Sequence, residues 1–235
     1  MSTARERIFA KLNAAQRPTL PEPDTAGYFA TSGARWATAK ERLLHWARTM
    51  RNFKAEIIWV ERDHWTPALV QVVQAKGINN LLLPTTAAGN TAQQHLQSTA
   101  PSVQLTTFNR PIENWKDELF ANVDAGFTQV SAGIAKTGTL VLIPTPQEPR
   151  TMSLVPPIHI ALFDADTLHD DFFSAMQALK LAQSMPTNVV LISSPSKTSD
   201  IQLTLAFGAH GPRELVVLAQ LPTGMSMADV QEDAA

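Results

Sequence analysis

The 235-residue sequence predicts an α/β fold, a three-layer α/β/α sandwich built around a mainly parallel sheet. From residue 56 onward, short runs of apolar β-forming residues alternate with amphipathic segments of helical period, and this order requires right-handed crossovers between parallel strands. The strand candidate at 189–192 has four consecutive apolar residues, which is typical of a strand covered on both faces. A hydrophobic content of 44% with only 17% charged residues indicates a folded chain rather than a disordered one.

The chain before this alternation is predicted to hold two helices and a linker. Thr3 begins a capping box and hence a short first helix, whereas residues 16–35 contain three prolines and two glycines, which is typical of a linker. Apolar residues at three- and four-residue steps predict a longer helix over 36–53. We therefore expect three parts, which are an N-terminal helix with a Pro-rich linker at 1–35, an α/β domain at 36–222 and a loose tail at 223–235.

The α/β domain is expected to alternate strands and helices, with one interruption. Two strands, 125–134 and 139–143, follow one another without a helix, so the turn between them is predicted to be a hairpin in which Gly138 takes a positive φ. Alternation within 158–163 makes His159 a core histidine that a neighbouring side chain satisfies. The other predicted elements are helices at 66–76, 91–98, 111–120 and 167–183, strands at 57–60, 80–83, 103–108, 189–192 and 215–221, and a loop at 144–157.

The densest cluster of possible chemistry follows the strand at 189–192. A hydroxyl-rich loop from Ser193 to Asp200 is expected to lead into a helix that begins near Ser199, and ligands of open α/β sheets bind in such places. Free backbone N–H groups, the helix dipole, the hydroxyls and the ammonium of Lys197 would favour a phosphate or a carboxylate. The alternative, that the serines only cap the helix and Lys197 is solvated, explains the same residues equally well.

Further candidate ligand groups lie in three other segments. His210 lies between small residues in a companion loop and could approach a ligand, although a lone histidine in a loop is more often structural. Thr137 and Thr139 flank the hairpin turn and could contact a second anion, although a plain hairpin also explains them. Arg150 comes from the loop at 144–157 and could line a cleft or simply be solvated. The full set of candidate anion-binding residues is Thr137, Gly138, Thr139, Arg150, Ser196, Lys197, Thr198, Ser199, Asp200, His210 and Gly211.

Composition excludes several classes of function. The chain has no cysteine, so it forms no disulfide and ligates no zinc or iron–sulfur cluster through thiolates. Its net charge of −2 gives no indication of nucleic-acid binding. No dinucleotide fingerprint, Walker loop, zinc-protease motif or nucleophile elbow occurs, and the six histidines show no ligand spacing, so no metal site is predicted. No run of 18 apolar residues and no signal peptide is present, so the cytoplasm is the expected compartment.

Four motifs, in the same order, resemble those of the lactate utilization protein C family (DUF162). They are GIAKTGTLVL at 133–142, Arg150 followed by SLVPPIHIALF at 153–163, SSPSKTSDIQ at 193–202 and GAHGPREL at 208–215. The resemblance covers roughly residues 127–220. One departure is that the family's loop often begins Arg-Thr-Ala-Asp, whereas here it begins with Lys197, which keeps the charge but lacks the planar fork of arginine.

The resemblance implies a NagB/RpiA/CoA-transferase-like fold, as in sugar isomerases, remotely related to formyltetrahydrofolate cyclo-ligase. It also implies a component of L-lactate oxidation to pyruvate that acts beside two iron–sulfur partner proteins, with the clusters in the partners and no cofactor in this chain. One alternative is a stand-alone enzyme on a phosphorylated or CoA-linked molecule, in which Lys197 and Arg150 would hold the anion. In that enzyme Glu148, His159 or His210 would act as the base. Another alternative is an assembly scaffold without a ligand.

Overall fold

The structure, a computed structural model, describes residues 3–15, 20–199, 205–208 and 210–230. The chain divides into two compact units, Met1–Gly33 and Ala34–Ala235. No helix in these described ranges combines the length and the apolar character that a membrane span needs.

The N-terminal unit contains two helices, α1 (Ala4–Ala14) and α2 (Thr25–Ser32). The predicted capping box begins α1, since the backbone N–H of Glu6 donates to the Thr3 hydroxyl and the backbone N–H of Thr3 donates to the Glu6 carboxylate. Helix α2 lies inside the segment predicted as linker, so that prediction is wrong there. The Asp24 carboxylate accepts a hydrogen bond of 2.8 Å from the backbone N–H of Gly27, and this cap begins the helix.

The α/β unit contains seven α-helices and twelve strands in its described part. The helices are α3 (Ala39–Asn52), α4 (Thr66–Ala75), α5 (Ala87–Thr99), α6 (Lys116–Asn122), α7 (Thr151–Leu154), α8 (Phe172–Ala178) and α9 (Met227–Val230). The strands are β1 (Glu56–Val60), β2 (Asn80–Leu83), β3 (Gln104–Thr107), β4 (Ala125–Gln129), β5 (Ala132–Ile134), β6 (Thr139–Leu142), β7 (Ile158–Asp164), β8 (Leu168–His169), β9 (Val190–Ile192), β10 (Lys197–Ser199), β11 (Leu205–Phe207) and β12 (Glu214–Gln220).

Six parallel strands form the main sheet in the order β1-β12-β7-β4-β2-β3. Alternation along β7 separates two cores, as the sequence predicts. Ile160 and Leu162 pack with α4 and α5 on one face, whereas Ala161 and Phe163 pack with α3 on the other. The predicted three-layer α/β/α sandwich with a mainly parallel sheet is therefore confirmed.

A second sheet, in the order β8-β5-β6-β9, lies on the α3 side of the main sheet. The predicted hairpin forms its centre, and Gly138 has the predicted positive φ, at 57°. The two sheets come close at Gly133, where an added Cβ would lie 2.6 Å from the Phe163 ring. Strand β9 pairs antiparallel with β6 and leaves Leu191 49% exposed, so the prediction of a parallel strand covered on both faces is wrong. Four apolar residues in a row do not specify which sheet a strand joins.

The prediction of a helix that begins near Ser199 is also wrong for the described residues. Lys197–Ser199 pairs antiparallel with Leu205–Phe207, and the residues between these strands lie outside the described part of the chain. The apolar residues at 201, 203, 205 and 207 alternate with other residues, and this period of two is the signature of a strand. The contribution of a helix dipole to anion binding is lost with the helix.

Local capping explains several smaller corrections. Helix α5 begins at Ala87 rather than at residues 90–91, because its N-cap is Thr86, whose hydroxyl accepts from the backbone N–H of Gly89. The predicted helix at 167–183 is only α8, because Asp171 caps it and the preceding residues form β8. The predicted helix at 111–120 is a 3-10 turn (Ile112–Asn114) followed by α6, and α7 lies in the predicted loop at 144–157.

Residues 223–230 are folded rather than loose. The backbone N–H and the hydroxyl of Thr223 both donate to the carboxylate of Asp166, at 2.9 and 2.7 Å. Val230 in α9 is 1% exposed and belongs to the same core as α3. These contacts, with Met225 and Met227 packed against the same core, hold a segment that composition alone predicts to be loose.

The packing of the hairpin on α3 predicts the cost of filling its turn. Gly138→Ala should lower the free energy of unfolding by about 2–4 kcal/mol, since a side chain there is strained by the positive φ and its Cβ would lie 2.7 Å from Thr49 Cγ2. Gly77→Ala is the matched control, because Gly77 has φ 63° and nothing within 4 Å of an added Cβ. Urea unfolding should show a loss of only about 1 kcal/mol there. Equal losses in the two variants would contradict close packing of the turn on α3.

Candidate functional site

A cavity of about 460 Å³ lies at the amino-terminal end of β7 and β12, with walls from both sheets. Its position is set by His159 and Leu215, which are the second residues of their strands. The loop after β9 closes it, but β9 belongs to the second sheet, so the usual site at the carboxyl ends of a parallel sheet is not the one formed here. The lining residues are Ser153, Leu154, His159, Val190, Leu191, Ile192, Ser193, Ser194, Pro195, Ser196, Lys197, His210, Gly211, Pro212 and Leu215.

Four predicted site residues meet in this cavity, namely Ser196, Lys197, His210 and Gly211. Ser196 holds the loop after β9 against the loop before β12 through three hydrogen bonds. Its backbone N–H donates to the Pro212 carbonyl at 2.7 Å, and its carbonyl accepts from the backbone N–H of Gly208 at 2.9 Å. Its hydroxyl oxygen accepts from the backbone N–H of His210 at 3.3 Å, which leaves the hydroxyl proton able to donate to a ligand.

Lys197 brings a positive charge to the exposed side of the cavity. Its Nζ lies 4.9 Å from the centroid of the Phe53 ring, and that ring is 43% exposed. A cation–π contact of this kind contributes about 0.5–1 kcal/mol at an exposed site. The contact positions the ammonium without neutralising it, so the charge is retained for an anion.

The predicted hairpin residues support the cavity from behind rather than lining it. The Thr139 hydroxyl is 2.7 Å from the Thr137 hydroxyl and 2.7 Å from the hydroxyl of Ser193, which does line the cavity. These two hydrogen bonds use two of the three hydroxyl protons. The chain of hydroxyls can therefore run in either direction, and Ser193 at its end can donate to a ligand or accept from one.

Among the remaining predicted site residues whose side chains the structure describes, Arg150 does not line this cavity. Arg150 is exposed and lines a smaller pocket, which Glu148 and Thr128 also line. Thr198 and Ser199 belong to the β10–β11 pair, and Asp200 lies outside the described residues. The cavity is thus lined by four of the eleven predicted residues, and the arginine is not one of them.

His159 is the cavity residue whose role sequence reasoning underestimated. It is 1% exposed, and its Nε2 is 2.8 Å from the Thr128 hydroxyl, as expected for a satisfied core histidine. Its Nδ1, however, is buried with no hydrogen-bond partner among the described residues. Burial lowers the pKa of His159 to about 4, so the imidazole is neutral at pH 7. Alternation in the sequence places His159 in the core but gives no sign of the unpaired nitrogen.

Glu148 is a second titratable group close to the site. Burial raises its pKa to about 7, although the backbone N–H of Gln129 donates to both of its oxygens and acts in the opposite direction. The smaller pocket that holds Glu148 shares Ser153 with the main cavity. The Glu148 carboxyl therefore changes its protonation within the physiological pH range, in a pocket that adjoins the cavity through Ser153.

The arrangement suits a small organic anion. Hydroxyls and the Lys197 ammonium can bind a carboxylate or phosphate, and Leu154, Leu191 and Leu215 offer apolar contact. The fifteen lining residues include no Asp or Glu, so nothing in the described wall repels a negative charge. The structure therefore defines a class of protein. It is a parallel α/β/α sandwich with a second sheet, and the cavity between the two sheets is compatible with an anion.

Comparison with known sequences gives the family. The chain belongs to the LUD domain family, whose sequence model matches residues 43–219. A protein of Neisseria meningitidis serogroup B that is described as uncharacterized is 47% identical over 234 residues, which cover 99% of this chain and 100% of that one.

Other relatives match over shorter stretches. Lactate utilization protein C of Macrococcus caseolyticus is 34% identical over 96 residues, 39% of this chain and 41% of that protein. Its counterpart in an Exiguobacterium species is 34% identical over 99 residues, 40% and 43% of the two chains. The match thus spans about two-fifths of each of these relatives. The crystal structure of a DUF162 family protein from Deinococcus radiodurans has a TM-score of 0.59 at 19% identity, covers 79% of this chain and 100% of its own, and shows the shared fold.

The two shifted pKa values predict opposite effects of pH on stability. Between about pH 4 and 6.5 the unfolded chain binds the His159 proton more readily, so this group makes stability rise with pH. Between about pH 4.5 and 7 the folded chain binds the Glu148 proton more readily, so this group makes stability fall as pH rises.

Glu148→Gln should therefore make the unfolding free energy rise more steeply with pH than in the wild type, and His159→Leu should make it rise less steeply. Each change in slope is at most about 1.4 kcal/mol per pH unit, the value for one proton. Urea unfolding at half-unit steps between about pH 4.5 and 6.5 measures both slopes. Changes of the same sign in the two variants would contradict this assignment.

Proposed function

We propose that this chain functions in lactate utilization, where it binds a small carboxylate such as lactate or pyruvate beside iron–sulfur partner proteins. The observation that carries the proposal is the convergence of Ser196, Lys197, His159 and His210 on one cavity whose described wall has no carboxylate. Membership of the LUD domain family and the matches to proteins named lactate utilization protein C support it.

The cavity has the size and chemistry for such a ligand. Its volume of about 460 Å³ falls within the range of about 300–1,000 Å³ usual for small-molecule sites. The ammonium of Lys197 and the hydroxyl of Ser196 would hold the carboxylate, as charge-assisted hydrogen bonds are the stronger kind. The leucine side chains of the wall would contact the methyl group.

The partner proteins enter the proposal through redox chemistry. Oxidation of lactate to pyruvate removes two electrons, which an acceptor must take. The sequence has no cysteine, so thiolates that ligate an iron–sulfur cluster would come from another chain. In the proposed division of labour, this chain binds the acid and its partners carry the electrons.

Titration with small anions tests the binding site. Calorimetry at low ionic strength should show binding of lactate and pyruvate, and Lys197→Ala should weaken it by about tenfold or more because a charged hydrogen-bonding group is worth about 1.5–3 kcal/mol. Lys116→Ala is the matched control, since Lys116 is an exposed residue in the first turn of α6 and is not part of the cavity wall. The control should bind like the wild type.

The same experiment separates the alternatives. If lactate, pyruvate, phosphate and ATP all fail to bind, the anion site is wrong and a scaffold without a ligand is favoured. If the purified chain alone turns over a phosphorylated or CoA-linked compound, the stand-alone enzyme is favoured. Co-purification of this chain with proteins that contain iron and acid-labile sulfide, from cells grown on lactate, would support the proposed partners.

A further inference from the structure

The unpaired nitrogen of His159 is the feature that the proposed carboxylate site leaves unused. The ring is 1% exposed and lines the cavity, and its Nδ1 finds no hydrogen-bond partner among the described residues. Buried polar atoms of native proteins are nearly always hydrogen-bonded, and each exception requires a reason. A ligand that occupies the cavity would supply such a partner.

The surrounding strands show which ring nitrogen of His159 is already engaged. Strand β7, which carries His159, lies between β4 and β12. Nε2 bonds to Thr128 on β4, whereas the cavity is lined by Leu215 on β12 and by Pro212 before it. Nε2 is thus engaged on the β4 side, so Nδ1 is the ring nitrogen that is still free to bond, and the ring that carries it lines the cavity.

A neutral imidazole recognises a different group from the one that Lys197 recognises. Because burial keeps His159 uncharged at pH 7, it offers a hydrogen bond without attracting negative charge. Thr128 can accept from Nε2, which leaves Nδ1 as an acceptor, or donate to Nε2, which leaves Nδ1 as a donor. A ligand hydroxyl complements both tautomers, whereas a ligand carbonyl complements only the second.

We infer that His159 Nδ1 hydrogen-bonds the oxygen substituent next to the carboxylate and makes the cavity selective for short 2-hydroxy acids over unsubstituted acids. This inference rests on the proposed function, since it assigns the second contact of the same ligand. Ser196 and Lys197 hold the carboxylate near the exposed side, and His159 binds the hydroxyl at the buried side. Thr128 acts as a positioning residue that fixes the orientation of the ring.

Calorimetric titration with lactate, pyruvate and propionate tests this assignment. Wild-type protein should bind lactate about tenfold or more tightly than propionate, because propionate would leave the buried nitrogen unpaired. His159→Leu should bind the two acids with equal affinity. His64→Leu should keep the wild-type preference, since His64 is exposed and follows the carboxyl end of β1, away from the cavity.

The titration distinguishes a failure of the inference about selectivity from a failure of the proposed function. Equal binding of lactate and propionate by the wild type would overturn the role of His159 and leave the carboxylate site standing, whereas no binding of any acid would overturn the proposed function itself. Nitrogen NMR of labelled histidine in the wild type gives a readout that does not depend on the folding of a variant. Lactate should shift the His159 Nδ1 resonance, and an unchanged resonance at saturating lactate would overturn the inference.

Discussion

The antiparallel pairing of β9 with β6 is the interaction on which the rest of the site depends. It aligns Leu140 with Ile192 and Leu142 with Val190, and the Thr139–Ser193 hydrogen bond extends it into the following loop. The main sheet alone contributes only His159 and Leu215 to the described wall of the cavity. By holding β9 in a second sheet, the chain brings the 193–197 loop over the amino end of the main sheet and encloses a cavity.

The charges of the site follow from this enclosure. His159 lies at the buried side, where burial lowers its pKa and keeps it neutral at pH 7, while Lys197 lies on the exposed side with its ammonium over the face of Phe53. Glu148 lies one residue behind the wall, and burial raises its pKa, which reduces the negative charge close to the cavity. The cavity therefore combines a charged end and a neutral polar end, as a small bifunctional acid requires.

Patterns that depend on neighbours in sequence predicted the structure well. Alternation along β7 identified both faces of the main sheet, and the turn chemistry at Gly138 identified the hairpin. The partner of β9 depends on pairing across about fifty residues, which an apolar run does not encode. The strand at 205–207 has an apolar pattern that also fits a crowded helix face, so local pattern alone does not identify it. The unpaired nitrogen of His159 follows only from three-dimensional packing, whereas the hydroxyl run around Ser196 was visible in the sequence.

The central claim is that the second sheet creates a ligand cavity between a buried neutral histidine and an exposed lysine. The most direct measurement is a crystal structure of the protein grown with saturating lactate at neutral pH. The account predicts density for one lactate in this cavity, with its carboxylate at Ser196 and Lys197 and its hydroxyl at His159 Nδ1. Density for lactate at another place on the chain, or a cavity filled only by water under these conditions, would contradict it.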